Sequence, residues 1–294
     1  MAAANELQLW AGDESRASAM AELAVNEVLR IEAKYSRYRD ESVVRQINRA
    51  AGKKAVTIDA ETTALLRYAD RCFRDSGGLF DITSGALRRA WDFRRVPPRL
   101  PDASELSAIC ASIGWACVEW HDRSIRLPRE QMEIDFGGIG KEYAADRMAA
   151  MCAENGFSHA LVNLAGDVRA SGPQENDAPW LVGIVHPRRP GAVVARVELR
   201  EGAIATSGDY ERFFEIEGRR YSHIINPITG WPVSCWQSIS VLAPVCIFAG
   251  SCSTIAMLLE ANAEAFLRAQ DVTYLAVDKA GCLTGPLAAN AVDA

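Results

Sequence analysis

The sequence predicts an α+β fold whose sheet is largely antiparallel, and two observations carry that prediction. Apolar residues recur at three- and four-residue spacing in well-separated stretches, which are helices, while the middle of the chain is a series of short alternating segments joined by turn residues. Hairpins therefore dominate where a parallel α/β protein would interleave helices. The 294 residues suffice for a full core and are read as a single domain spanning 1–294. Hydrophobic residues at 49% and charged ones at 24% are an ordinary globular mixture. A net charge of -6, with no basic cluster larger than Arg88-Arg89 and Arg94-Arg95, argues against a nucleic-acid footprint.

Taken in order, Leu7, Leu9 and Trp10 predict a short first strand, and Ala17, Ala21, Ala24, Val28, Ile31 and Tyr35 mark one face of an amphipathic helix. That helix runs into a polar loop bearing Tyr35 and Tyr38, after which Val43, Val44 and Ile47 add a helical turn before Asn48. Asp59 can cap the next helix, with Leu65, Leu66, Ala69, Cys72 and Phe73 as its apolar face and Gly77-Gly78 as its stop. Leu79-Phe80-Asp81-Ile82-Thr83-Ser84-Gly85 follows, offering backbone and a carboxylate to a ligand. Pro97-Pro98 and Pro101 mark an exposed loop, and 116–127 reads as a hairpin turning at His121-Asp122-Arg123. His121 is read as a solvated turn residue.

Met132-Glu133-Ile134-Asp135 is read as a strand end feeding Phe136-Gly137-Gly138-Ile139-Gly140-Lys141, from which a helix runs through Tyr143, Ala144, Arg147, Met148 and Met151 to Gly156. Glycines and a lysine opening a helix present amides and a positive dipole end to phosphate. The run is no P-loop, because Asp135 takes the first glycine's place and Glu142 follows the lysine, and no dinucleotide fingerprint, because Tyr143 takes the last. A close strand–helix packing turn accounts for the glycines equally well. Residues 160–169 read as strand, turn and strand; 180–185, 193–199 and 203–206 as further strands; 239–243 as a strand, 248–259 as a helix and 274–277 as the last strand.

The densest stretch is 206–230. Thr206-Ser207-Gly208-Asp209 is read as a strand exit into a tight turn able to hold an anion, Glu217-Gly218-Arg219-Arg220 as a hairpin tip, and Tyr221-Ser222-His223-Ile224-Ile225 as the strand after it. His223, one of four histidines, then closes a strand beside a turn, where an imidazole suits proton transfer and equally suits a bond to a carbonyl. His159 and His186 are assigned structural roles. The eight cysteines form no CxxC and no Cys/His ligand spacing, so zinc is not expected and free thiols in a reducing compartment are. Met1-Ala2-Ala3-Ala4-Asn5-Glu6 has no signal-like character and no run approaches the ~18 apolar residues of a membrane span, so a cytoplasmic protein is expected.

Taken together, the motifs resemble the ApbE family of FAD:protein FMN transferases. The matching pieces are Ser36-Arg37-Tyr38-Arg39-x-x-Ser42 with Asn48, Phe80-Asp81-Ile82-Thr83-Ser84-Gly85, and Asp135-x-Gly137-Gly138-Ile139-Gly140-Lys141. Val162-Asn163-x-x-Gly166-Asp167, Thr206-Ser207-Gly208-Asp209-Tyr210 and His223-Ile224-Ile225-x-Pro227-x-Thr229-Gly230 continue in the family's order. The resemblance implies an ApbE-like, T-fold-like α+β architecture with the flavin site between two lobes. It implies an enzyme that attacks the pyrophosphate of FAD, moves FMN onto a Ser or Thr hydroxyl of an acceptor protein and releases AMP, with Mg²⁺. In that pattern Tyr38 lies against the flavin, Leu79, Phe80 and Asp81 line the FAD pocket, and Asp135, Lys141 and Ile224 complete the flavin contacts. The Gly138 carbonyl and Thr254 reach the metal, and His223 is the base.

The chain departs from that pattern at informative places. The family's Ala-Asp-x-x-x-Thr reads Ala249-Gly250-Ser251-Cys252-Ser253-Thr254 here, so the metal carboxylate is replaced by Gly250. Glu142 stands where the family commonly has Gly, either supplying a replacement negative charge or repelling the FAD pyrophosphate. Met1-Ala2-Ala3 replaces Met-Gly-Thr at the first strand. The alternative expectation is therefore an FAD-binding paralogue that has lost metal-dependent transfer.

Overall fold

The computed structural model describes residues 5–292, so the departure at Met1-Ala2-Ala3 lies outside the described residues. The chain opens with β1 (Asn5–Leu9), α1 (Glu14–Tyr35), α2 (Val43–Arg49), β2 (Val56–Thr57) and α3 (Ala60–Asp75). Asp13, Ser42 and Asp59 begin the three helices, each side chain accepting from an amide of the first turn. Gly77 and Gly78, at φ 63° and 93°, end α3 as expected. Then come α4 (Ala103–Cys110), the hairpin β3 (Glu119–His121) and β4 (Ser124–Arg126), and α5 (Gly140–Glu154). The second half supplies β5 (Ala160–Leu164), β6 (Asp167–Ala170), β7 (Trp180–Val185), β8 (Val193–Leu199), β9 (Gly202–Gly208), β10 (Phe213–Ile216), β11 (Arg219–Ser222) and β12 (Trp236–Ala243). It closes with α6 (Cys246–Leu259), α7 (Ala263–Ala269), β13 (Thr273–Asp278) and β14 (Leu283–Thr284).

A seven-stranded sheet in the order β1-β5-β6-β9-β12-β13-β14 is the centre, and every pairing in it is antiparallel. Period-two alternation divides its side chains between two cores. Val162, Leu164, Ala203, Ala205, Ile239, Val241 and Ala276 face the helices α1, α5 and α6, whereas Leu161, Val168, Ile204 and Leu275 face the β7–β8 hairpin. The α+β expectation holds on this arrangement. A third, aromatic cluster joins the β10–β11 hairpin to the segment before α4: Trp91 stacks on Phe214 and Tyr221 at 5.9 and 5.8 Å, and its indole donates to the Gly230 carbonyl at 2.8 Å.

Three local expectations need correction. Met132-Glu133-Ile134-Asp135 is extended but pairs with no strand: Asn48 brackets it instead, donating to the Ile134 carbonyl at 3.0 Å and accepting from its amide at 2.8 Å. A side-chain amide can replace a strand edge because it carries one donor and one acceptor at peptide-like spacing. Thr206 to Gly208 is no anion-holding turn, since β9 continues to Gly208, paired with Ser238, and the Asp209 carboxylate is held by Arg188 at 2.6 and 2.7 Å. The strand after Gly218 ends at Ser222, leaving His223 just beyond it.

The run Cys246–Ala269, with hydropathy 1.3, is long and apolar enough to cross a membrane, although the sequence reading expects no such run. Its α6 portion is core material, packed by Ala249, Cys252, Ile255 and Ala256 beneath the sheet. All eight cysteines are free, and Cys72, Cys152, Cys246 and Cys252 are buried.

The bracketing role of Asn48 is testable. Asn48→Ala leaves the Ile134 amide and carbonyl without these partners and should cost about 1–3 kcal/mol. Urea unfolding should show a lower midpoint at unchanged slope; a midpoint equal to wild type would remove the role.

Candidate active site

Of the expected site residues, Lys141 opens α5 and Gly250 and Thr254 lie on α6, both helices packed on one face of the sheet. The two helices are fixed to each other by one carboxylate. Val245 gives α6 no side-chain cap, and Asp146, from the middle of α5, accepts from the Cys246 and Ile247 amides at 2.7 and 2.8 Å. Arg169 on β6 stands 3.3 Å from the same carboxylate. Two residues earlier on that strand, Asp167 faces the same helix, and its Oδ2 lies 2.8 Å from Lys141 Nζ. This buried ion pair is the contact that the Asp167 carboxylate makes with the start of α5. Asp167 reaches this position because the turn Ala165-Gly166, at φ 55° and 92°, reverses the chain tightly, with Asn163 accepting from the Gly166 amide at 2.9 Å.

Glu142 follows Lys141 in the first turn of α5, only 6% exposed, and its Oε2 has no hydrogen-bond partner. Burial and then the neighbouring Asp167 charge hold its pKa well above the carboxylate range. Burial alone would lower the Lys141 pKa, but Asp167 and Glu142 outweigh it and hold Lys141 above its usual value. Opposite Glu142 stands Gly250 on α6. A Cβ there would meet Glu142 Cγ at 2.5 Å and Oε1 at 3.0 Å. One turn further along α6, Thr254 Oγ1 lies 2.8 Å from Ser207 Oγ, which also lies 2.8 Å from Ser253 Oγ. Ser207 points there because it shares the helix-facing register of Ala203 and Ala205 on β9.

The remaining predicted residues surround the loop before α5. Phe80 is buried, and its ring packs closely on position 138, where a Cβ would come within 3.1 Å of Cζ. Asp135 pairs with Arg37 and accepts from the Gly137 amide at 3.0 Å, and Gly85 is obligatory because a Cβ would lie 2.8 Å from that of Asp135. Arg37 also donates to the Tyr38 hydroxyl at 2.8 Å and lies over its ring at 4.8 Å, while the Tyr38 side chain is 67% exposed. Leu79 is half-buried against the main core and Ile224 is buried in it. Asp81 is turned inward: it accepts from Thr83 N and Oγ1 at 2.7 and 2.6 Å and from Trp115 N at 2.9 Å, capping the turn that follows Phe80. Its carboxylate is spent on shaping the loop.

His223 is anchored by its backbone, donating to the Arg212 carbonyl at 3.0 Å, while its buried Nδ1 has no partner. Burial, and then the Arg212 charge, push its pKa down to about 4, so the ring is neutral at pH 7. Arg212 shares the surroundings of Tyr38 with Arg37 and Arg94, a local excess of positive charge in an acidic protein.

Among the described residues no three His, Cys, Asp or Glu are grouped as metal ligands. The donors present are two buried carboxylates, Glu142 and Asp167, with the Thr254 hydroxyl one turn beyond Gly250 on α6 and the Gly138 carbonyl just before the start of α5. An oxygen set with one or two carboxylates, completed by phosphate and water, suits Mg²⁺. Sequence reasoning assigned no role to Asp146 or Asp167, and placed Ser207 only in an anion-holding turn beside the flavin. Asp146 left a signal, an aspartate in an alanine-rich helix interior where such a residue is unfavourable without a partner. Asp167 and Ser207 stood in quoted motifs but have no local pattern that reports which face they occupy.

The profile described as the ApbE family matches residues 1–276. The chain is 31% identical over 238 residues to the FAD:protein FMN transferase of Treponema pallidum, covering 75% of this chain and 66% of that protein. It is 28% identical over 278 residues to that of Klebsiella pneumoniae, covering 92% and 79%. Among solved structures, the ApbE protein of Thermotoga maritima superposes with a TM-score of 0.85 at 29% identity, covering 95% of this chain and 93% of that one.

The depressed His223 pKa has a consequence for stability. The folded ring holds a proton less tightly than the unfolded chain, so acid favours unfolding. This contribution is constant above about pH 6.5 and erodes stability as pH falls from there towards about 4, by at most about 1.4 kcal/mol per pH unit. His223→Gln lacks the effect, so the stability of wild type relative to H223Q should decline over that window in urea titrations. A difference independent of pH would refute the depressed pKa.

Proposed function

The chain belongs to the ApbE family, and on that footing we propose that it is an FAD:protein FMN transferase that moves FMN from FAD to a Ser or Thr hydroxyl of an acceptor protein, with Mg²⁺. The observation carrying the mechanism is His223: an imidazole neutral at pH 7 with an untethered buried nitrogen, beside a basic recess. A hydroxyl is a poor nucleophile unless its proton is accepted as it attacks, and a neutral imidazole is the natural acceptor.

In this reading the exposed Tyr38 ring, backed by Arg37, covers the flavin, and Leu79, Phe80 and Ile224 form its apolar wall. Asp135 is held by Arg37 and the Gly137 amide and contacts the flavin's polar edge, while Asp81 keeps the Phe80 loop in shape. Lys141, with the amides at the start of α5, takes phosphate oxygens. His223 accepts the acceptor's hydroxyl proton as the oxygen bonds to the FMN phosphorus. The bond from that phosphorus to the bridging oxygen breaks, and AMP leaves with the electron pair. The Gly138 carbonyl and the Thr254 hydroxyl would supply neutral oxygens to a bound cation. When bound, Mg²⁺ would neutralise charge on the transferred phosphoryl group and on departing AMP.

The test incubates the purified protein with FAD, MgCl₂ and a flavin-accepting domain, reading AMP release and covalent flavin. His223→Ala should slow transfer by about 10²–10⁴-fold with FAD affinity retained. Wild-type rates in H223A would remove the base, and absence of transfer by the wild-type protein would sink the reading.

A further inference from the structure

We infer that Glu142 is the anionic ligand of the divalent cation at this site, supplied from α5 in place of the side chain that α6 lacks at Gly250, with Asp167 as its companion. The inference rests on the reading of the site as one that acts on the FAD diphosphate.

Steric exclusion is the first support. The Glu142 side chain fills the volume that any side chain at 250 would need, with Cγ 2.5 Å, Cδ 3.1 Å and Oε1 3.0 Å from the position of a Cβ on Gly250. Contacts under 3.0 Å require something to move, and both helices are fixed here by Asp146 on the Cys246 and Ile247 amides. With Glu142 where it stands, a carboxylate from 142 and a side chain from 250 are therefore alternatives for one space, and a side chain at 250 would have to displace the Glu142 side chain. Glycine at 250 admits the Glu142 carboxylate to the position facing Thr254's helix.

The unbalanced charge is the second. Glu142 and Asp167 are 6% and 2% exposed, and Lys141 is the ammonium that contacts them, through Asp167. Glu142 Oε2 has no hydrogen-bond partner, and Asp167 Oδ2 has the Lys141 ammonium at 2.8 Å. Two buried acids brought together around one ammonium are costly to keep charged, and a dication at this place would relieve that cost. The groups on the facing helix fit a hard cation: one turn beyond Gly250 the Thr254 hydroxyl lies 2.8 Å from that of Ser207, and the Cys246 thiol, raised by burial far above the range in which it ionises, offers no thiolate that would favour a soft metal. Repulsion of the FAD pyrophosphate, the other sequence-level reading of Glu142, gives no account of why Gly250 is vacant where Glu142 reaches.

The test uses the full chain stripped of metal and titrated with MnCl₂ alone, following bound Mn²⁺ by electron paramagnetic resonance and the Mn²⁺-induced rise in melting temperature. Glu142→Gln, which keeps the volume, should fold, melt at or above wild type without metal, and bind Mn²⁺ at least tenfold more weakly. The exchanged protein, Glu142→Gly with Gly250→Asp, should recover affinity to within about tenfold of wild type. Gly250→Asp alone should lower the melting temperature because both side chains claim one space. Wild-type Mn²⁺ affinity in E142Q, or an exchanged protein that folds and binds no Mn²⁺, overturns the inference. FMN transfer by the wild-type protein separates the two claims. Transfer with Mn²⁺ binding indifferent to Glu142 removes only the ligand assignment, and Glu142-dependent Mn²⁺ binding without transfer removes only the enzymatic reading.

Discussion

The architecture depends on the contact between the Asp146 carboxylate and the first amides of α6. An unpaired helix start buried beneath a sheet would leave several donors unsatisfied, and here the cap comes from a neighbouring helix. That choice sets the axial position of α6 against α5, and with it the alignment of Gly250 with Glu142 and of Thr254 with Ser207 on β9. Arg169 completes the arrangement by tying the same carboxylate to β6, the strand that also presents Asp167 to Lys141. Two strand residues on one face thus meet two residues of one helix, so that the fold and the site share a framework.

The fold was legible because it is built from local patterns. The amphipathic face of α1, the Asp59 cap, the glycine stop after α3 and the Glu217-Gly218 turn each announce themselves within a few residues. What stayed hidden were long-range substitutions for local structure. Asn48 serves as the strand edge for Ile134, 86 positions away, and Asp146 caps a helix 100 positions away. Neither distance is visible to a periodicity argument, which is why a strand was expected at Met132-Glu133-Ile134-Asp135.

The candidate site shows the same division. Motifs located nearly all of its residues, but residue type alone did not distinguish those that face a ligand from those that hold the loop. Asp81 and Asp135 both stand beside glycines or turns in the sequence. One spends both carboxylate oxygens on Thr83 and Trp115, while the other remains part-exposed against Arg37. His223 likewise differs from His159, which is tied to the Pro173 carbonyl at 2.8 Å, by what its ring nitrogen lacks.

The mutual exclusion of side chains at 142 and 250 also orders how such a site can change over generations. A chain carrying a carboxylate at both positions is crowded, and a chain with glycine at both is uncrowded but lacks the charge. Moving the acid from one helix to the other therefore has no single-step route that keeps both packing and charge intact. Each residue is permissive only in the presence of the other, so the pair behaves as one heritable unit, and its two forms should sort relatives into discrete groups rather than a continuum.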